Sequence, residues 1–325
     1  MYPEIPFWAA SLFILVGLVA LAWSSDRFVL GAAALARNLG VSPFVVGMVV
    51  VGFGTSAPEL LVSAFSGIAG HTNLSLGNAY GSCVFNIAGI LGAAALVRPL
   101  VVKAAIRKFS VPILFGVTVL TYFLIRDGVL SRMNAIALLA VFAVVMPLYC
   151  KMDKAGEAEG DSDGNKIGTL AAVLWSLVGL SVMVGASHVL VWGSVDVARS
   201  LHVSDLLIGL TIVAIGTSVP ELASAVAAAR RNESELVLGN IVGSNLFNTL
   251  AVVGIAGTIS PSADFSRFVV TRDIPALAIA TVSIFLFGRR RADAPAGNGM
   301  VSRLGGAVWV LAYAAYMALT LFQEA

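Results

Sequence analysis

Two short segments of the sequence each place a carboxylic acid, two hydroxyl groups and a proline close together. The first is GTSAPEL at 54–60 and the second is GTSVPEL at 216–222. Residues three and four positions apart share a helix face, so the Thr, Ser and Glu of each segment would point the same way. The proline lacks an N–H and crowds the carbonyl four residues earlier, so each helix should bend there. Carboxylate, hydroxyl and freed carbonyl oxygens are hard ligands, which suit Na⁺ or Ca²⁺ better than soft metals.

A second pair of segments follows the first pair at the same offset of 162 residues. GNAYGSCVFN at 77–86 matches GNIVGSNLFN at 239–248. Asn, Ser and Asn recur there every four residues, at Asn78, Ser82 and Asn86 and at Asn240, Ser244 and Asn248. Their oxygens would add neutral ligands to the carboxylates, although an Asn in a membrane helix can equally join two helices. The register holds without a gap between 25–99 and 187–261, which predicts an internal duplication.

Long apolar runs must position these motifs. The 325 residues are 58% hydrophobic and only 12% charged, which is about half the charge of a usual soluble domain. One membrane-spanning helix needs about 20 apolar residues. The runs that meet this length lie at 5–25, 42–67, 74–97, 109–126, 132–150, 168–197, 204–229, 235–258, 268–288 and 303–323. The sequence therefore predicts an all-α integral membrane protein with ten transmembrane helices.

The duplication and the number of spans together predict the architecture. Residues 1–150 would form one five-helix half, 151–167 a polar linker, and 168–325 a second five-helix half. Because five is odd, the second half enters the membrane from the opposite side. Inverted repeats of this kind bind their substrates where the halves meet, near the middle of the bilayer.

Basic residues predict the orientation. With the N-terminus outside, the inner loops hold 14 Lys and Arg residues and the outer loops hold 5. Positive charge favours the cytoplasmic side. We therefore expect a multi-pass protein of the cell (inner) membrane, with both termini outside and the 151–167 linker in the cytoplasm.

Glu59 and Glu221 give the strongest functional argument. They are the acids that lie deep inside predicted spans, and they occupy equivalent positions of the two halves. An ionised side chain at the bilayer centre is costly, so it marks a functional pathway by default. No basic residue lies near them in the same spans, so a structural ion pair is not expected. The pair predicts a cation site in the membrane.

Enzyme motifs are absent from the sequence. Pro58 stands where a nucleophile elbow requires glycine, and neither HExxH nor GxxxxGK[ST] occurs. We therefore expect no enzymatic activity, no resident cofactor and no nucleic-acid partner. The expected partners are the lipid bilayer and transported Ca²⁺, Na⁺ or H⁺, and the oligomeric state is not specified.

The doubled GTS-x-PE motif, each copy followed by GN-x-x-GS-x-x-x-N, resembles the α-repeats of the calcium/cation antiporter superfamily. Within it the chain resembles the prokaryotic sodium/calcium exchangers, including the YrbG-like bacterial members. The resemblance covers nearly the whole chain. It implies ten helices, inverted repeats and exchange of Ca²⁺ against Na⁺. It also implies ten ligand residues: Thr55, Ser56, Glu59, Ser82, Asn86, Thr217, Ser218, Glu221, Ser244 and Asn248.

Two positions depart from the family pattern. Many sodium/calcium exchangers carry Asp where this chain has Asn248, and Cys83 stands where the second repeat has Asn245. Ca²⁺ affinity depends on the number of charged ligands, and two Glu can balance one Ca²⁺, two Na⁺ or two H⁺. A proton-coupled or other divalent cation exchanger therefore remains the alternative. A passive channel and a membrane enzyme are further classes, but bent helices and halved symmetry favour an antiporter.

Overall fold

The computed structural model describes residues 6–68, 72–153, 167–201, 214–289 and 297–324. Within these ranges the chain is almost entirely helical. The α-helices are α1 Phe7–Leu39, α2 Pro43–Val46, α3 Phe53–Thr55, α4 Ala57–Ile68, α5 Thr72–Val84, α6 Gly92–Val97, α7 Val111–Ile125, α8 Arg132–Asp153, α9 Thr169–Ser200, α10 Ala214–Thr217, α11 Val219–Arg230, α12 Ser234–Leu246, α13 Val253–Ile259, α14 Ile274–Phe287 and α15 Arg303–Glu324. Wider π-helical turns lie at Gly47–Gly52, Phe85–Leu91, Ile106–Ser110, Phe247–Val252 and Val269–Asp273. Two antiparallel strands, β1 Leu100–Val102 and β2 Gly299–Val301, form a small sheet.

Eight helical stretches in the described ranges are long and apolar enough to cross a membrane. They are Phe7–Leu39, Thr72–Val97, Ile106–Ile125, Arg132–Tyr149, Thr169–Ala198, Ser234–Ile259, Val269–Phe287 and Arg303–Gln323. The helices Pro43–Thr55 and Ala57–Ile68, which meet at a bend of 45°, make a ninth candidate when they are counted together as one broken span. The predicted run 204–229 lies partly outside the described residues, which resume at Ala214. The count of ten spans therefore remains a prediction.

The first helix is longer than its predicted run, 5–25. Polar residues at 24–27 lower the hydropathy there, but helix α1 continues to Leu39 and ends where Gly40 adopts a φ of 64°. A glycine in this left-handed conformation is a common helix terminator. The helix continues through these extra turns because the small residues at 31–36 are mostly buried against the rest of the bundle.

Helices α1 and α9 run side by side in opposite directions. A Cβ placed on Gly17 would touch Leu190, and one placed on Gly31 would touch Ser176. Residues later in α1 contact residues earlier in α9, so the two helices are antiparallel. Glycine at these points lets the backbones approach closely.

Two helical stretches occupy the centre of the bundle. In the most apolar 18-residue window of each spanning stretch, every residue of Ser234–Ile259 is buried and 78% of the residues of Thr72–Val97 are buried. The buried share in the other spanning stretches is 17–44%. The outer helices expose large apolar side chains such as Trp8 (70%) and Leu311 (69%), as a lipid surface requires. The central pair carries the GN-x-x-GS motifs.

Loop contacts define two opposite ends of the bundle. The end that we call the basic end is joined by Arg37–Glu233, Lys103–Glu235, Arg107 to the Gly288 carbonyl and Arg303 to the Val97 carbonyl. The linker reaches this end, because Asn38 Nδ2 donates to the Ile167 carbonyl at 2.9 Å. The opposite end is joined by the Leu130–Ser262 bridge and by Asn73, which accepts from Ser266 N. The predicted inner and outer loops thus lie at different ends.

Candidate ion-binding site

Both GTS-x-PE segments interrupt their helices at the serine. Ser56, between α3 and α4, has φ −83° and ψ 6°, and Ser218, between α10 and α11, has φ −93° and ψ 10°. The bend predicted from the proline of the first segment is confirmed. In the second segment the proline leaves the Gly216 carbonyl without its helical donor. Ser187 Oγ on α9 donates to that carbonyl at 3.0 Å.

Each broken segment hydrogen-bonds to the carboxylate of the other. Ser56 Oγ donates to Glu221 Oε1 at 2.9 Å, and Ser218 Oγ donates to Glu59 Oε1 at 2.8 Å. All four side chains are buried, with at most 1% exposed. The two motifs therefore face each other, and each carboxylate is held by a neutral donor that leaves its charge in place.

The serines of the central helices lie at the same place. Ser82 Oγ is 3.2 Å from Ser218 Oγ. Ser244 Oγ donates to the Gly52 carbonyl at 3.3 Å. Both serines are buried, Ser82 against the second broken segment and Ser244 against the π-helical turn that leads into the first.

The threonines are placed symmetrically as well. The Thr217 hydroxyl lies near the Glu59 carboxylate, and the Thr55 hydroxyl lies near that of Glu221. Thr55 Oγ1 also donates to the Val51 carbonyl at 2.9 Å. Thr55 is fully buried, whereas Thr217 is only half-buried.

Several buried polar atoms have no hydrogen-bond partner. They are Oε2 of Glu59, Oε2 of Glu221, Oδ1 of Asn86, and both amide atoms of Asn248. Neither carboxylate forms an ion pair in the part of the chain that the structure describes. Burying unpaired polar or charged groups is costly, and a bound cation would satisfy the oxygens. The set fits a hard cation, because its groups are carboxylate, hydroxyl and amide oxygens.

The ten predicted ligand residues form two groups. Hydrogen bonds or close approach link the carboxylates to the hydroxyls of Thr55, Ser56, Thr217 and Ser218. Ser82 contacts Ser218 and Ser244 contacts the Gly52 carbonyl, so neither of these two serines has a hydrogen bond to a carboxylate. Asn86 and Asn248 have no hydrogen bond to a carboxylate. Asn248 lies beside Cys83, and Asn86 Nδ2 donates to Asn245 Oδ1 at 2.9 Å.

Asn78 and Asn240 join helices. Asn78 Nδ2 donates to the Glu59 carbonyl at 3.3 Å and to Ser63 Oγ at 3.2 Å. Asn240 makes the matching pair of bonds in the second half, at 3.4 and 3.0 Å. These amides hold the first turn of each carboxylate-bearing helix against its central helix.

Asn245 is a site neighbour that the motif analysis left out. Besides accepting from Asn86, it donates through Nδ2 to the Cys83 carbonyl at 3.3 Å. The Cys83 thiol is free and buried, and its Sγ lies 3.6 Å from Thr249 Oγ1. Equivalent positions of the two repeats thus touch each other here. The difference between Cys83 and Asn245 in the aligned motifs was the signal available in the sequence.

Asp273 is a buried acid that the sequence analysis did not single out. It is 3% exposed and is the sixth residue of the predicted run 268–288. Its Oδ1 lies 2.6 Å from Arg272 Nε and accepts from the Tyr316 hydroxyl at 2.8 Å. Unlike the two glutamates it has a basic partner, which gives it a structural role.

The comparisons with known proteins agree with this geometry. The sodium/calcium exchanger protein family profile matches residues 9–149 and 171–322. The putative antiporter CaxA of Alkalimonas amylolytica is 37% identical, over 95% of this chain and 98% of the relative. The inner membrane protein YrbG of Escherichia coli (strain K12) is 34% identical, over 93% and 95%. A solved structure of the sodium-calcium exchanger NCX_Mj, soaked with Na⁺ and Sr²⁺, has a TM-score of 0.82 and 28% identity, over 96% of this chain and 99% of that one. The chain therefore belongs to the sodium/calcium exchanger family of multi-pass membrane cation antiporters.

Proposed function

We propose that the protein exchanges Ca²⁺ for Na⁺ by alternating access, and that the ions bind at Glu59 and Glu221. The observation that carries this proposal is the pair of buried carboxylates, each with an unpartnered Oε2 and neither with a basic partner. The remaining ligands would be the neutral oxygens of Thr55, Ser56, Ser82, Asn86, Thr217, Ser218, Ser244 and Asn248. The protein would act as a transporter and not as an enzyme, with the ions as cargo and no resident cofactor.

Charge balance supports exchange at a shared site. Two carboxylates offset the charge of one Ca²⁺ or of two Na⁺, so either load can occupy the same low-dielectric space. Oxygen-only ligands suit both ions. NCX_Mj, the structural neighbour, is described as a sodium-calcium exchanger.

We further propose ten helices arranged as two inverted repeats, 1–150 and 168–325, joined by the 151–167 linker. The antiparallel packing of α1 and α9 supports this arrangement, because these are the first helices of the two halves and inversion requires them to run in opposite directions. The basic end would face the cytoplasm, with both termini outside.

Asn248 favours a second candidate, a proton-coupled or other divalent cation exchanger. This position carries an amide whose two polar atoms have no partner, so the site holds one carboxylate fewer than many sodium/calcium exchangers. Two glutamates that exchange protons for a divalent cation would need no third charge.

Radioactive ⁴⁵Ca²⁺ uptake into proteoliposomes tests these proposals. Vesicles loaded with Na⁺ and diluted into Na⁺-free buffer should accumulate Ca²⁺, whereas vesicles with a pH gradient alone should not. Uptake driven only by the pH gradient would favour the proton-coupled candidate. Equal uptake without any counter-ion gradient would indicate a channel and contradict both.

A further inference from the structure

A cavity of about 460 Å³ lies close to the carboxylate pair, between α4, α9 and the end of α10 at Gly216 and Thr217. Its lining includes Pro58 and Thr217, which directly precede Glu59 and Ser218 in the chain. Leu61 and Phe65 also line it, and they are 55% and 65% exposed on the protein surface. The cavity therefore connects the neighbourhood of the ion site with the lipid-facing surface.

The cavity is larger and more apolar than an inorganic ion requires. One water molecule occupies about 10–15 Å³ on a comparable measure, whereas pockets for small organic molecules measure about 300–1,000 Å³. Pro, Leu, Val and Phe side chains make up about half of the described lining residues, and the hydroxyls of Ser66, Ser187 and Thr217 and the imidazole of His188 are its polar groups. An organic group with apolar arms would be well accommodated against these apolar side chains.

The ionisable groups in and near the cavity indicate which class of organic molecule it would bind. Among the described residues, the only ionisable side chain in the lining is His188. Glu59 directly follows the lining residue Pro58, and Glu221 lies one helical turn after the lining residue Thr217; each has an unpartnered buried oxygen. The inner end of the cavity is therefore close to negative charge and attracts a positive one. A quaternary ammonium carries a diffuse charge and no N–H group, so it leaves no donor unsatisfied there.

We propose that this cavity binds quaternary alkylammonium ions, with the charged nitrogen toward the carboxylate pair and the alkyl chains against Val62, Val184 and Phe65. The occupied cavity would hold a cation next to Glu59 and so exclude transported ions. The proposal uses the carboxylate site of the proposed function but does not depend on which ions the protein exchanges.

Equilibrium dialysis of radiolabelled tetrabutylammonium against the protein in lipid nanodiscs tests the proposal, with protein-free nanodiscs subtracted. We expect saturable binding that Glu59→Gln weakens at least tenfold. Val184→Trp, which fills the cavity, should also weaken it at least tenfold. Val178→Trp is the matched control, because Val178 lies on the same helix but is 44% exposed and outside the lining; it should bind normally.

Three results would overturn the proposal. They are the absence of saturable binding, equal binding by the two tryptophan variants, and equal displacement by the neutral tributylphosphine oxide, which would reveal a site for uncharged lipid-like groups. Leu61→Trp serves as the cavity-filling variant if Val184→Trp does not fold. Because binding is measured without transport, a failure of Ca²⁺ exchange leaves this result interpretable.

Discussion

At the scale of single residues, different side chains of the site carry the negative charge and fix its position. Glu59 and Glu221 provide the negative charge, whereas Ser56 and Ser218 orient it by donating across the interface at 2.9 and 2.8 Å. The serines do not neutralise the carboxylates. A divalent cation that loses its hydration shell in this buried space must therefore be balanced by these two side chains.

Replacing either carboxylate by its amide should abolish transport. At an effective dielectric constant of 20, two unit charges 4 Å apart interact by about 4 kcal/mol, and the interaction with a divalent ion is stronger. We expect Glu59→Gln and Glu221→Gln each to lower Ca²⁺ affinity by at least about 100-fold and to reduce ⁴⁵Ca²⁺ uptake to background. Glu235→Gln, at the ion pair with Lys103, is the control and should transport normally. Normal uptake by both Glu→Gln proteins, each shown to be folded, would place the cation site elsewhere.

Adding a carboxylate at Asn248 should have the opposite effect. No geometric hydrogen bond holds either amide atom of Asn248, which lies beside Cys83. Asn248→Asp should raise Ca²⁺ affinity about tenfold or more in calorimetry, because ligand charge strengthens Ca²⁺ binding. Asn38→Asp, an exposed position at the basic end, serves as the control. If the two substitutions change Ca²⁺ affinity equally, Asn248 is not a neighbour of the ion.

Sequence patterns singled out residues of the candidate site, but they did not predict which of these residues contact each other across the two repeats. Helical spacing and the repeat identified both glutamates and the surrounding hydroxyls. Spacing within one repeat could not show that Ser56 bonds to the glutamate of the other repeat. The role of Asn245 was missed for the same reason, since it depends on a contact between equivalent positions of the two halves.

At the scale of helices, close backbone approach fixes the central pair. A Cβ on Gly239 would clash with the Phe44 carbonyl oxygen, and one on Gly243 would clash with that of Met48. Helix α12 thus packs tightly against α2 and the following π-helical turn. By the same offset, the partner of α5 would be the segment 206–210 of the second half, which lies outside the described residues. The spacing of these glycines in the sequence could not show which backbone they would meet.

Substituting Gly239 should therefore destabilise the fold. Overpacking costs about 1–3 kcal/mol, and each kcal/mol lowers Tm by roughly 2–4 °C in chains of comparable size. Gly239→Ala should lower Tm by roughly 5 °C in a thermal unfolding assay. Gly116→Ala is the matched control, because nothing lies within 4 Å of a Cβ at this lipid-facing position. Equal melting of the two variants would contradict the predicted clash.

At the scale of the whole molecule, ion pairs tie distant parts of the chain together at one end. Arg37 pairs with Glu233 at 3.6 Å and Lys103 with Glu235 at 2.7 Å, while β1 from the first half pairs with β2 from the second. The sheet and the ion pairs connect loops that the sequence assigned to the same side. Hydropathy could predict where spans lie, but the length of α1 depended on packing against α9.

The position of the basic end provides the last test. Loops bearing 14 Lys and Arg residues are predicted on one side and loops bearing 5 on the other, and the described members of the two sets lie at different ends of the bundle. Translocating the more basic loops would cost more, so the basic end should face the cytoplasm.

Single cysteines at Ser162, in the linker, and at Gln323, near the C-terminus, would report this orientation in a background with Cys83 and Cys150 replaced by alanine. In intact cells a membrane-impermeant maleimide should label Gln323→Cys and spare Ser162→Cys, and permeabilised cells should show both labelled. The background protein must retain ⁴⁵Ca²⁺ uptake, since Cys83 lies beside the site. Labelling of Ser162→Cys in intact cells would reverse the proposed topology. Labelling of both positions to the same extent in intact cells would place them on one side and imply an even number of crossings between them, which two five-helix halves do not allow.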